Sequence, residues 1–220
     1  MNRKNRSNHL FYTLLIIGGC AILGVMYQYN KSNNLPIRHL PYFGKKIFNG
    51  RDTVFHQIPD FDLVDQNGRA FKKKNLSGKI YVADYFFTTC QSICPIMKKQ
   101  MGRIYKEFLS DSEVVLVSHT VNPEYDSVAV LKEYSKTLGV NQKKWIFLTG
   151  EKPKLYSLAR NGYLLDAGVG SGGSDDFIHT QNFALVDKNF SIRGYYDGTD
   201  SLEVNRLINE IKLLKQEYSK

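Results

Sequence analysis

Three cysteines in 220 residues are too few for a disulfide-stapled secreted module. Six prolines and seventeen glycines are likewise too few for a collagenous or low-complexity chain. Long uncharged runs are scarce as well: one stretch, residues 10–27, qualifies, which excludes a polytopic membrane protein. Acidic residues are absent before Asp52. What remains is 42% hydrophobic and 23% charged, the composition of a globular domain with an appendage. A body of about 150 residues buries enough surface to fold without staples.

The formal charge of +9 points to nucleic acid only until it is located. Arg3, Lys4, Arg6, Lys31, Arg38, Lys45 and Lys46 all precede residue 51, which leaves residues 51–220 with +2. A nucleic-acid binder gathers positive charge on its folded surface. Lys72, Lys73 and Lys74 are the only dense basic run there, and a solvated turn accounts for them. No nucleic-acid partner is expected.

Residues 10–27 read LFYTLLIIGGCAILGVMY. About 20 apolar residues cross a bilayer as a helix, and Tyr12, Tyr27 and Tyr29 suit its interfaces. The expected organisation is a tail over 1–9, a single transmembrane helix over 10–29, a tether over 30–50 and a folded domain over 51–220. Two alternatives use the same run: a cleavable signal peptide, or lipidation at Cys20. The dense basic tail favours tail inside and domain outside.

Within the body, FDLVDQNGRAF (61–71) reads as a β-hairpin, with Asn67-Gly68 supplying positive φ at its turn. KIYVADYFF (79–87) and EVVLVS (113–118) read as buried central strands. Ile93, Met97, Met101, Ile104 and Phe108 recur at helical spacing between them, which completes a βαβ unit. A helix over about 127–138, a strand over 145–150 and a helix opening at Pro153 follow. A hairpin over 183–187 and 192–198 and a last helix over about 200–217 close the chain. The predicted class is α/β, a thioredoxin-like fold: a central mixed sheet flanked by helices, an N-terminal hairpin, and an αβα insertion between βαβ and ββα.

Cys90 and Cys94 fall where the first central strand gives way to a helix, in FFTTCQSICPIM. A helix N-terminus favours thiolate, the form that attacks disulfides and binds soft metals. CxxC at such a junction is the usual redox dithiol; one more residue separates the sulfurs and leaves room for an ion. Of the five histidines, His9 lies in the tail, His39 in the tether and His56 ahead of the first hairpin. His179 precedes the last hairpin, at the point that approaches the cysteine loop in a thioredoxin-like core. His119 ends the neighbouring strand, and with Asp84 and Asp176 it is a candidate for a supporting place around the site. Two thiolates and one imidazole suit Cu(I), and Cu(II) with modest adjustment, better than zinc, which prefers a fourth ligand.

These segments resemble the Sco (SenC) family of membrane-anchored copper proteins that assist the Cu(A) site of cytochrome c oxidase. The likeness rests on IPDFDLVDQNGR, LSGK, FFTTCQSICP, VNPEYDS, WIFLTG and HTQNFALVDKNFSIRGYYDG, across about residues 57–200. It implies Cys90, Cys94 and His179 as copper ligands. It also implies a copper metallochaperone in the bacterial inner membrane, facing the periplasm, that delivers to the Cu(A) subunit or another copper acceptor. Members carry Val-Asp where this chain has His119-Thr120. The alternative the motif leaves open is a thiol–disulfide oxidoreductase, served by a thioredoxin-like reductant, that keeps the acceptor's cysteines reduced through a Cys90–Cys94 disulfide.

Overall fold

The computed structural model describes residues 16–26, 39–50, 52–165, 178 and 180–219. Asp176, His179, the tail and most of the tether lie outside the described residues. The chain divides into Met1–Arg38 and His39–Lys220. In the first unit, helix α1 covers 16–26, and all eleven of its residues are exposed. These lie inside the expected span 10–29; no described helix is long and apolar enough to cross a membrane.

Among its described residues the second unit contains nine strands. A hairpin, β1 (Lys46–Asn49) with β2 (Asp52–Phe55), forms a sheet of its own. The other seven are β3 (Asp62–Asp65), β4 (Ala70–Lys72), β5 (Ile80–Phe86), β6 (Val114–Thr120), β7 (Trp145–Thr149), β8 (Asn182–Val186) and β9 (Ile192–Asp197). They run in the order β4-β3-β7-β6-β5-β8-β9. β5, β6 and β7 are parallel, whereas β3 and β8 join them antiparallel, so the sheet is mixed. Helix α2 (Cys94–Glu107) crosses from β5 to β6, α3 (Val128–Thr137) and α4 (Lys152–Ser157) flank β7, and α5 (Ser201–Glu217) follows β9. This is the expected thioredoxin-like order with its inserted αβα.

Every residue of β5, β6 and β7 is buried, as parallel strands covered on both faces must be. Alternation then sorts their side chains. Ile80, Val82, Phe86, Leu116 and Phe147 pack under α2, α3 and α5, against Met97, Met101, Leu131, Leu207 and Ile211. Tyr81, Ala83, Tyr85, Val115 and Val117 face the other way, toward Leu155, Tyr156 and Tyr163.

Three local features depart from expectation. The turn after β3 is a three-residue loop: Asp65 and Arg69 still pair, and only Gly68 takes positive φ (+75°). Asn67 does not, because the Asp65 carboxylate already accepts from the N–H groups of Asn67 and Arg69. Gln66 leaves the turn altogether; it is fully buried, and its Oε1 accepts from the Phe147 N–H at 3.0 Å. Helix α4 ends in a π turn over Leu158–Gly162, where a Cβ on Gly162 would lie 3.1 Å from Pro59. Finally, ordered structure begins well before residue 51, since Leu40 is buried and the β1–β2 hairpin falls across the expected domain boundary.

Arg193, 1% exposed, explains why residues 40–42 are held. Its guanidinium donates to the carboxylates of Asp187 (3.0 Å) and Glu217 (2.7 Å) and to the carbonyls of Leu40 (2.7 Å) and Pro41 (3.1 Å). The Tyr42 ring covers its outer side at 4.1 Å. Glu217 completes the circuit by accepting from the Leu40 N–H at 2.7 Å. One cation thus ties the N-terminal segment, the β8–β9 turn and the end of α5 together. Arg193→Leu strands two buried carboxylates, so it should cost about 3–5 kcal/mol. Urea denaturation of the two proteins checks this, and an unchanged midpoint would contradict it.

Candidate functional site

β5 ends at Phe86, and seven residues carry the chain to the first turn of α2. The loop is fixed by Asp126, a fully buried carboxylate in the segment after β6. It accepts from the Thr88 N–H (3.2 Å), the Thr88 hydroxyl, and the Thr120 hydroxyl at 2.5 Å. The Cys90 N–H donates to the Phe87 carbonyl at 3.3 Å, and the Cys90 Sγ lies 3.6 Å from the Ser92 hydroxyl. Pro95 opens α2, where its missing N–H costs nothing.

Both cysteines are free thiols, and they are unequal. Cys90 is partly exposed. Its burial pushes its pKa up, but the thiol and N–H of Cys94 and the hydroxyl and N–H of Ser92 outweigh that, and the net direction is down. Cys94 is buried against Phe86 and Met97. Loss of solvent pushes it up to about 12, reinforced by the Cys90 thiol and the charge of Asp84. The helix N-terminus was expected to favour thiolate at both positions; at Cys94 burial overrides it. The two thiols are therefore shifted in opposite directions.

Beside Cys94 lies a cavity of about 10 Å³ lined by Asp84, Lys98, Ser118, Tyr134 and Trp145 among others. The Trp145 indole N–H donates to the Ser118 hydroxyl at 2.9 Å. Asp84 is 4% exposed, and its Oδ1 has no hydrogen-bond partner among the described residues. Burial raises its carboxyl to about 7 against the opposing Ser118 hydroxyl. Asp84 and Cys94 thus line one small cavity.

His119 does not join them. It pairs in register with Tyr85, one residue past Asp84, and so emerges on the opposite face of the sheet. There it stacks on Tyr85 at 4.9 Å, with its Nε2 3.4 Å from the Tyr163 hydroxyl. Complete burial drops its pKa to about 4 and leaves it neutral. It is a core residue. His56 has a structural place as well, with its Nε2 2.7 Å from the Gly162 carbonyl. His179 and Asp176 lie outside the described residues, and among the described residues no three Cys, His, Asp or Glu side chains are grouped to hold a metal. Two sulfurs of a soft donor set are on hand, which fits a thiophilic ion and not a hard one. Asp126 was missed from sequence; its only signal is Thr88-Thr89 before Cys90 and an acid in VNPEYDS.

The family model for SCO1/SenC matches residues 51–216. The chain belongs to the SCO1/SenC family. A SCO1 homologue of Bacillus subtilis is 26% identical over 164 residues, 74% of this chain and 84% of that protein. The crystal structure of a SCO1/SenC family lipoprotein from Bacillus anthracis superposes with a TM-score of 0.63 at 27% identity, over 73% of this chain and 95% of that one. Arabidopsis thaliana ScoI, crystallised with copper bound, gives 0.57 at 25% identity, over 70% and 98%.

Two measurements check the site. Limiting iodoacetamide at pH 7.5 should label Cys90 at least about ten-fold faster than Cys94, read by peptide mass; the reverse order contradicts the assigned asymmetry. Asp84 has a folded pKa above its unfolded value, so the folded state holds the extra proton between about pH 4 and 7 and loses stability as pH rises through that window. Metal-free Asp84→Asn should therefore gain on the order of 4 kcal/mol at pH 7.5 and about 1 at pH 4.5. Equal gains at both pH values would refute a raised Asp84.

Proposed function

We propose that this protein binds copper through Cys90, Cys94 and His179 and hands it on to the Cu(A) site of cytochrome c oxidase or to another copper acceptor. The observation that carries the reading is the pair of free thiols in the CxxxC loop, one partly exposed and one buried, in a member of the SCO1/SenC family. The copper bound by Arabidopsis ScoI supports the choice of ion. Copper is cargo here. Cys94, seated inside, suits a retained donor, and Cys90, at the surface, suits the donor that an acceptor thiolate displaces first. His179 supplies the imidazole that completes a three-coordinate set.

The apolar run 10–29 serves as a single inner-membrane anchor in this reading, with the domain in the periplasm. Acylation at Cys20 is the competing form of attachment, in keeping with the lipoprotein of Bacillus anthracis. Intact mass separates them, since a lipidated chain begins at Cys20 and carries acyl groups.

A thiol–disulfide oxidoreductase is the second reading, favoured by the opposite shifts of the two thiols. Attack by Cys90 on an acceptor disulfide and resolution by Cys94 would move two electrons to the acceptor and leave a Cys90–Cys94 disulfide, which a thioredoxin-like reductant restores.

Copper(I) titration of the reduced protein tests the first reading. Wild type should bind one equivalent, and His179→Ala should bind at least about ten-fold more weakly. Equal binding by both removes His179 from the site. Negligible binding by wild type together with fast reduction of disulfide substrates moves the assignment to the second reading.

A further inference from the structure

Among the described residues the β1–β2 hairpin pairs with no other strand, and an isolated two-stranded ribbon is at best marginal in water. It nevertheless exposes Phe48 (80%), Ile47 (63%) and Val54 (50%). Register puts Ile47 opposite Val54 on one side and Phe48 opposite Thr53 on the other, so both sides carry apolar surface.

Its base, by contrast, is fixed to the body. The Phe43 N–H donates to the Ile192 carbonyl at 3.0 Å, and the Phe43 ring meets Tyr195 edge-on at 5.2 Å. Gly44 takes φ +94° at a point where a Cβ would lie 2.5 Å from the Cβ of His56, so the chain can pass there only as glycine. On the return strand Phe55 stacks on Tyr42 at 4.0 Å, and the Ile58 N–H donates to the Phe190 carbonyl at 2.8 Å. A rigid base carrying an apolar tip is a built projection.

We infer that this hairpin is a membrane-contact element that inserts shallowly into an anionic phospholipid surface. Apolar side chains on both sides argue for immersion, since a flat protein partner covers only one side, whereas an interface wets a thin ribbon to a depth of about 5–10 Å. Charge agrees: Lys45, Lys46 and Arg51 flank the apolar residues, and Asp52 is the only acid in the first 59 residues. Such cations attract anionic headgroups. Sequence distance agrees too, because the seventeen residues 28–44 separate Tyr27 from Lys45 and span at most about 60 Å. That last argument rests on the anchor reading above; the others do not.

Full-length protein reconstituted with phosphatidylglycerol–phosphatidylcholine vesicles tests the inference. Trp145, the only tryptophan, is 3% exposed and serves as the internal reference. With brominated acyl chains, the indole introduced by Phe48→Trp should emit to the blue and be quenched at least about two-fold, while wild type stays unquenched. Adding Lys45→Glu and Lys46→Glu should reduce that quenching, as should purely zwitterionic vesicles. Flotation reads the anchor separately. Flotation without quenching overturns the hairpin inference and spares the anchor, and no flotation with no quenching overturns both. Quenching without flotation under high salt leaves the hairpin contact and removes the anchor. An indole shielded without vesicles, in step with protein concentration, means that a second copy covers the hairpin and overturns the lipid assignment.

Discussion

Asp126 accepts hydrogen bonds from the backbone and hydroxyl of Thr88 and from the hydroxyl of Thr120, and so joins the end of β6 to the loop that leaves β5. The rest of the site depends on that junction. Without it the seven residues between Phe86 and Cys94 would be a free connection, and free connections order poorly. With it, Cys90 is held at the rim while Pro95 starts the helix that carries Cys94 inside. Three hydrogen bonds to one buried carboxylate are worth more than three to water, because the surroundings are dry. The inequality of the thiols is thus a consequence of loop geometry, which Asp126 sets from a neighbouring segment.

The sheet acts as a partition. Asp84 and His119 sit one register step apart on adjacent strands, yet strand alternation sends the carboxylate toward Cys94 and the imidazole toward Tyr85 and Tyr163. The two faces then treat their polar groups differently. His119 is neutral between aromatic rings and costs little to bury. Asp84 keeps an unpartnered oxygen in a cavity too small to hold more than a single water, a costly arrangement in a well-packed core. Its charge adds to the burial that holds the Cys94 proton in place.

Most of the fold was legible because its signals are local. Continuous apolar runs gave β5, β6 and β7; heptad-like spacing in 93–108 gave α2; Ser127 and Asp200 capped α3 and α5 as their sequences suggest. The cysteines were legible for the same reason, being placed by a strand–helix junction. What escaped was long-range. Nothing near Arg193 in sequence says that it will meet Leu40 and Pro41 more than 150 residues away. KIFNG, residues 46–50, was read as the end of the tether because its turn signal, Asn49-Gly50, stands between strands that find no third partner among the described residues. His119 stood among the candidates around the site because strand proximity is visible in sequence, while the face of the sheet depends on where the strand begins.

The Arg193 cluster also bears on how the site is presented. The chain enters the domain at His39, and within three residues Leu40, Pro41 and Tyr42 are locked to β9 and to the end of α5. The next residues are the fixed base of the hairpin, and β9, which holds them, lies beside β8, the strand paired to β5. A force or a restraint applied at residue 39 therefore reaches the strand that ends at the cysteine loop through two strand pairings and no flexible connection.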